Sequence, residues 1–210
     1  MKRLLGLILA VGFGTGTAFS QDVHWASKVL EVSSEYRDAN NPGHYAAKEA
    51  LGPPSIDPAV SKGTECTWSP SEADIDKEEY ITLGYPKAIH IQQIAISEAL
   101  GAGSLVKVIL FNGNTPTVIW TNPAPGPGSM GGKMTNIFIP RTEFACSKLM
   151  VVLNPKLVAG FNQIDAVGIS ESTDTIKAKI NLAPGILTEG IRENLGPNVN
   201  SAATEMSPFL

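Results

Sequence analysis

Ile89-His90-Ile91-Gln92-Gln93-Ile94-Ala95-Ile96-Ser97-Glu98 is the stretch that decides the fold. Ile89 and Ile91 alternate with polar neighbours, and so do Ile94 and Ile96. A two-residue period places one side of a strand in a core and the other outside it. The phase slips once, at Gln92-Gln93, as a β-bulge makes it do. The same texture continues on both sides. Tyr80 to Tyr85 precedes it, and Leu105 to Phe111 follows with Val106, Val108 and Leu110 on one face. Asn112-Gly113-Asn114 turns the chain back into Thr117-Val118-Ile119-Trp120.

Further out, Val29 to Val32, Thr135 to Ile139, Lys148 to Leu153 and Phe161 to Ile169 read as strands. Cys66-Thr67-Trp68 pairs briefly at a sheet edge. This gives about eight strands, antiparallel and Greek-key connected. The connections are short or rich in turn formers, with 20 Gly and 15 Pro in 210 residues. A doubly wound α/β fold needs crossover helices that such connections cannot hold. One brief helical pattern, Tyr45 to Leu51, is stopped by Gly52-Pro53-Pro54. Two stacked half-buried sheets account for the alternation.

The first twenty residues differ. Lys2 and Arg3 precede an apolar run from Leu4 to Phe13, and Ala18-Phe19-Ser20 forms a small-x-small exit. This is the pattern of a secretory signal peptide over 1–20, cleaved before Gln21 and too short for a stable membrane span. Its loss takes the formal charge from −4 to −6. The expected mature chain has no transmembrane span. Residues 21–172 form the sandwich, 173–197 a linker or packing extension, and 198–210 an opening of something further. No dense Lys/Arg tract exists, which argues against nucleic acid as a partner.

The residues offer little catalytic chemistry. His24, His44 and His90 lie outside any metal-ligand spacing, and no nucleophile elbow or phosphate loop is present. The chain reads as non-enzymatic. Asp38, Asn40 and Asn41 sit in one tight loop whose oxygens suit Ca2+, with Glu171 as a further ligand. The alternative is that Asp and Asn simply build the turn. Asp74, Asp76, Glu78 and Glu79 form a second acidic patch, open to the same two readings. Trp68, in a polar loop, is the aromatic best placed to touch a ligand. It fits equally as a core residue capping the sandwich, while Trp120 reads as core and Trp25 as an edge cover. Cys66 and Cys146 form either a disulfide closing a long loop or two free thiols.

Several segments together carry a resemblance. They are Val32-Ser33-Ser34-Glu35-Tyr36, Tyr45-Ala46-Ala47-Lys48-Glu49-Ala50-Leu51-Gly52-Pro53-Pro54, Trp68-Ser69-Pro70, Glu79-Tyr80-Ile81, Ile94 to Glu98, and Asn162 to Ile169. In this order the chain resembles the galactose-binding-like (discoidin-like) β-sandwich superfamily over about residues 26–171. It is most similar to the version opening multidomain envelope proteins of Bacteroidetes-type bacteria. The resemblance implies an all-β jelly-roll sandwich with one short N-terminal helix, and loops at one end that bind glycan or a cell-envelope surface. It implies a structural Ca2+ near Asp38 and Asn40, with Glu171. It also implies Gly168 as a site of close packing. Asn198 to Ser201 and Glu205 to Pro208 resemble the start of a WD-type propeller. In such proteins a peptidoglycan tether comes from outer-membrane-protein-A-like domains further downstream, absent here. The implied product is exported, periplasmic or outer-membrane-associated. It acts as a glycan-binding module or as a structural domain of an envelope machine with protein partners.

Overall fold

The computed structural model describes residues 22–126 and 131–178. The expected signal peptide, the proposed propeller start and most of the 173–197 extension lie outside the described residues.

Among the described residues are ten strands, nine of which form two sheets. They are β1 (His24–Trp25), β2 (Lys28–Val32), β3 (Pro42–Tyr45), β4 (Glu79–Ile89), β5 (Gln93–Leu100), β6 (Leu105–Asn112), β7 (Thr115–Thr121), β8 (Lys133–Phe138), β9 (Cys146–Leu153) and β10 (Gln163–Ser170). One sheet has the order β1-β10-β5-β8 and the other β2-β4-β9-β6-β7, with β3 in neither. Every recorded strand pair is antiparallel. The fold is an all-β, two-sheet jelly-roll sandwich. The helical pattern after Tyr45 resolves to a single 3-10 turn, Ala47–Ala50.

The slip at Gln92-Gln93 has a different cause from a bulge. β4 ends at Ile89 in one sheet and β5 begins at Gln93 in the other. His90 to Gln92 is the crossing between layers. The crossing is pinned by Thr142, whose Oγ1 accepts from the Ile91 N–H at 2.9 Å and whose carbonyl lies 2.7 Å from His90 Nδ1. His90 therefore belongs to a connection, not to a sheet face. Changing sheets reverses which alternate residues point inward, so the shift in phase follows from the crossing.

The core fills the space between layers. Ile81, Leu83, Leu110, Leu149, Val151 and Leu153 from one sheet meet Ile94, Ile96, Ile164, Val167 and Ile169 from the other, all fully or almost fully buried. β5 and β10 are also buried on their outer faces over most of their length. Loops and β1 cover them. Gly168 shows what that covering requires: a Cβ there would lie 2.8 Å from the Trp25 ring. Trp25 packs closely on β10 because position 168 has no side chain, which meets the expectation for both residues.

Asp165 anchors a second cover. Its buried carboxyl accepts from the Ser55 hydroxyl at 2.6 Å, the Ser55 N–H at 3.1 Å and the Ser97 hydroxyl at 3.2 Å. The chain after Gly52-Pro53-Pro54 is thus tied to the middle of the fold across 110 positions. Burial pushes the Asp165 carboxyl up, against the opposing pull of the Ser55 and Ser97 hydrogen bonds.

Candidate functional site

The cleft lies at the end of the sandwich where β5 stops and β10 starts, with Leu100 opposite Gln163. Three further segments converge there. Tyr36 to Asp38 follow β2, Tyr45 ends β3, and Ser69 follows a lone bridge between Trp68 and Ile164. Backbone bonds hold them together. The Tyr36 N–H donates to the Ser69 carbonyl at 2.9 Å, the Ser69 N–H to Tyr45 at 3.1 Å, and the Tyr45 N–H to Glu65 at 2.9 Å. Tyr36, Asp38, Tyr45, Ser69, Leu100, Phe161 and Gln163 line a cavity of about 240 Å³.

Its aromatic wall is ordered. The Tyr36 ring meets Tyr45 edge-on at 5.3 Å and Phe161 edge-on at 5.2 Å. Edge-to-face pairs of this kind fix one another's orientation. All three rings are half-buried, so each keeps an open portion. Tyr45 sits at φ 58°, a left-handed backbone that a bulky residue adopts only when its surroundings impose it. Here the bonds to Glu65 and Ser69 on either side impose it. Strained backbone of this sort concentrates at functional sites.

The polar wall has one charge. Asp38 accepts from the Asn40 N–H at 2.8 Å and the Asn41 N–H at 3.3 Å, with His44 Nδ1 3.9 Å away. The Asn40 bond foremost holds its carboxyl below the usual range, so Asp38 is ionised at neutral pH. Gln163 is buried, and its Oε1 accepts from the Thr64 N–H at 2.9 Å. That leaves its amide Nε2 with donor capacity in the wall that Gln163 lines. The Tyr45 hydroxyl is pushed up by burial first and then by Glu65 and Asp38, so it stays protonated.

Trp68, expected as the ligand-contacting aromatic, is 0% exposed. Its ring lies in the core and its Nε1–H donates to the Ser34 carbonyl at 3.0 Å. It offers no face to a ligand, and the aromatic surface comes from Tyr36, Tyr45 and Phe161 instead. Sequence reading placed these three in a turn, a helical pattern and a strand. The one available sign was a tyrosine on each flank of the 36–45 loop.

The expected calcium set does not assemble. Glu171 follows the far end of β10, so the length of that strand separates it from the cleft, on the order of 25 Å. There it pairs with Arg141 at 2.7 Å. The Asp38 carboxylate already serves N–H donors of its own turn. Asn40 is drawn in through its backbone N–H, which a cation would repel. Among the described residues no group of three or more His, Cys, Asp or Glu is placed to hold a metal ion. The second acidic patch is also committed. Asp74 accepts from the Gly160 N–H at 2.9 Å, Asp76 pairs with Lys156, and Glu78 pairs with Lys107 at 2.8 Å. Glu79 is buried, bonded by the Ser33 and Ser34 hydroxyls and paired with Lys77 at 2.9 Å.

Cys66 and Cys146 are both free, the first exposed and the second buried. Cys146 opens β9 opposite Ile89. Cys66 lies beside Trp68, at the end where β9 finishes. The intervening strand puts their Cα atoms on the order of 20 Å apart, far beyond the reach of a disulfide.

A second concavity, of about 710 Å³, is walled by Glu98, Leu105, Trp120, Asn122, Lys133 and Thr135 among others. Its Glu98 is buried and accepts from the Thr135 hydroxyl at 2.6 Å and the Gly103 N–H at 3.3 Å. Trp120 packs against the core from here, close to its expected role.

No protein-family model and no curated protein matches the chain. Solved structures do match in shape. The structure of reduced XRCC1 bound to the DNA pol beta catalytic domain is 13% identical, covers 72% of this chain and 99% of that one, and has a TM-score of 0.53. The family 32 carbohydrate-binding module of C. perfringens NanJ, in complex with galactose, is 14% identical, with 71% and 100% covered and a TM-score of 0.47. Allantoicase from Saccharomyces cerevisiae is 11% identical, with 67% and 39% covered and a TM-score of 0.46. At these identities the likeness is one of fold. The shared fold is an antiparallel two-sheet β-sandwich of jelly-roll type.

Proposed function

We propose that this chain is an exported, non-catalytic binding module that takes a glycan of the cell envelope or another surface in the cleft of Tyr36, Tyr45 and Phe161. One observation carries the reading: three half-buried rings, packed edge-on, line one cleft with a buried amide side chain and a carboxylate at the loop end of the sandwich. Aromatic faces stack on the apolar side of a sugar ring, and a few placed polar groups fix its hydroxyls. The volume lies below the roughly 300–1,000 Å³ of pockets for larger ligands, which suits one ring. The backbone strain at Tyr45 supports a site held ready in advance.

Export rests on Lys2, Arg3 and the apolar run after them. Residence in the periplasm or at the outer membrane, in an envelope protein of the Bacteroidetes type, rests on the resemblance of the quoted segments. Among the described residues no helix is long and apolar enough to cross a membrane.

A second reading, a structural domain in an envelope assembly with a protein partner, is favoured by β7. Thr115, Pro116, Thr117 and Val118 are all exposed on this edge strand. A glycan array probed with the full chain and with Phe161→Ala separates the two. Binding that depends on Phe161 supports the first. Absence of glycan binding, together with crosslinks in cells that run through β7, supports the second.

A further inference from the structure

One end of the core is polar where the strand pattern calls for apolar residues. Ile94, Ile96 and Glu98 alternate along one face of β5, and their partners on β8 are Ile137, Thr135 and Lys133. Ile94 and Ile96 belong to the core between the sheets, and so does Ile137. Directly opposed residues of an antiparallel pair share a face, so Glu98, Thr135 and Lys133 continue these core rows with polar side chains. Leu105 of β6 and Trp120 of β7, from the other sheet, line the same concavity of about 710 Å³. That size falls within the roughly 300–1,000 Å³ of small-molecule pockets. A packing rule broken around a hollow points to function.

Beside Trp120, four side chains of the lining are polar, and two of them are committed. Asn122 donates to the Leu105 carbonyl at 2.8 Å and accepts from the Ala124 N–H at 3.0 Å. The buried Glu98 carboxyl accepts from the Thr135 hydroxyl at 2.6 Å and the Gly103 N–H at 3.3 Å. Burial raises Glu98, against the pull of Thr135, Gly103 and Lys133, and so favours its neutral form. A neutral carboxyl repels no anion. A proton held between it and Thr135 frees the Thr135 hydroxyl to donate elsewhere. Lys133 is exposed, and among the described residues it forms no ion pair. The free charge of the concavity is therefore positive. An ammonium ligand would meet repulsion there, and a neutral one would leave the lysine unused.

We infer that this concavity between the layers is a second ligand site, and that it takes a small monocarboxylate with an apolar body. The carboxylate meets the Lys133 ammonium and the Thr135 hydroxyl. The body lies against Leu105 and Trp120. The site is separate from the cleft of Tyr36, Tyr45 and Phe161 and does not rest on the glycan reading.

The test is an NMR and calorimetric titration of the full chain at about pH 6, where carboxylates of this kind are ionised. The probes are phenylacetate, phenylacetamide, 2-phenylethylamine and acetate. Phenylacetate is expected to move the Trp120 indole N–H and the Lys133 and Thr135 amides. It is expected to bind about tenfold or more tightly than the amide and the amine, the scale of one charge-assisted contact. Acetate, which has the head without the body, is expected to bind about tenfold or more weakly than phenylacetate. Lys133→Gln, at an exposed position, is expected to erase the preference for phenylacetate over phenylacetamide with the circular dichroism spectrum unchanged. Equal binding of phenylacetate and phenylacetamide overturns the anion assignment, and so does tighter binding of the amine. Acetate binding as tightly as phenylacetate overturns the apolar contacts. No shift at Trp120 or Thr135 with any probe removes the site and leaves the glycan reading standing. The comparison among probes is made on the unaltered chain, so the outcome does not depend on the folding of the variant.

Discussion

The indole N–H of Trp68 donates to the carbonyl oxygen of Ser34 at 3.0 Å, and the ring that carries it is wholly buried. Ser34 in turn donates to Glu79 at 2.6 Å and accepts from the Ser71 N–H at 3.1 Å. One side chain therefore ties the loop after β2 to the start of β4 and to the floor of the cleft. Trp68→Ala is expected to cost about 3–5 kcal/mol, the usual range for emptying so large a core site. Trp68→Phe retains most of the volume, loses the bond to Ser34, and is expected to cost about 1–3 kcal/mol. Urea unfolding measures both. Ligand affinity of the Trp68→Phe protein, measured well below its midpoint, is expected to match the parent.

Asp165 and Glu98 make stability depend on pH in one direction and Glu79 in the other. Burial raises the first two above their unfolded values, which lie near 4. Above that value the folded state holds protons that the unfolded chain has released. Their contribution is complete below it and declines as pH rises through their folded pKa values. Glu79 is raised by burial but lowered further by the Ser33, Ser34 and Lys77 contacts, for a net depression. Its contribution is present above its unfolded value and is lost as pH falls through the folded one. Urea midpoints between about pH 4 and 7 are expected to decline more gently with rising pH in Asp165→Asn or Glu98→Gln than in the parent. Glu79→Gln is expected to remove part of the loss on the acid side. A slope unaffected by either of the first two changes contradicts the assignment.

Ser55 is a pin whose hydroxyl makes the shortest of the side-chain bonds to the buried Asp165 carboxyl. Ser55→Ala removes the 2.6 Å hydroxyl contact with Asp165, and about 1–3 kcal/mol is expected to go with it. Hydrogen exchange is expected to rise first in the segment around Gly52 to Pro58, which Asp165 fastens to β10.

The cysteines give a simple count. In the folded chain a thiol reagent is expected to reach Cys66 and not Cys146, and both only after unfolding. Reaction at Cys66 is expected to be slow near neutral pH, because burial and then Glu49 and Glu65 push its thiol up. Two unreactive cysteines in the unfolded, unreduced chain would show a bridge between them.

Much of the scaffold was legible because strand periodicity is a local property. Eight strands, the turn at Asn112-Gly113-Asn114 and the pairing of Trp68 at an edge follow from alternation and turn residues alone. The short β1 and β3 are too brief to show a period. The crossing at His90 to Gln92 mimicked a bulge, since both reverse the inward face by one residue. The site was hardly legible. Its residues come from five separate segments, and only the folded chain brings Tyr36, Tyr45 and Phe161 together. Trp68 misled because a polar loop in sequence is not an exposed loop in space: Ser34, Thr67 and Ser69 surround a ring that is buried. Asp38 and Glu171 bracket the sandwich in sequence, and β10 holds them at opposite ends.

The calcium question has a direct outcome. Asp38→Ala is expected to shift the melting temperature equally in Ca2+ and in chelator, because the carboxylate serves its own turn. A loss seen only with Ca2+ present would show ligand linkage and contradict that role.

The account turns on the loop-end cleft as the place where ligand is taken. An amide NMR titration of the full chain with a panel of neutral, N-acetylated and amino monosaccharides locates it directly. The largest shifts are expected at Tyr36, Asp38, Tyr45, Phe161 and Gln163, and Tyr36→Ala and Phe161→Ala are each expected to weaken binding at least tenfold while the sandwich stays folded. Shifts confined to β7 or to the Glu98 concavity, or binding that survives both substitutions, would contradict it.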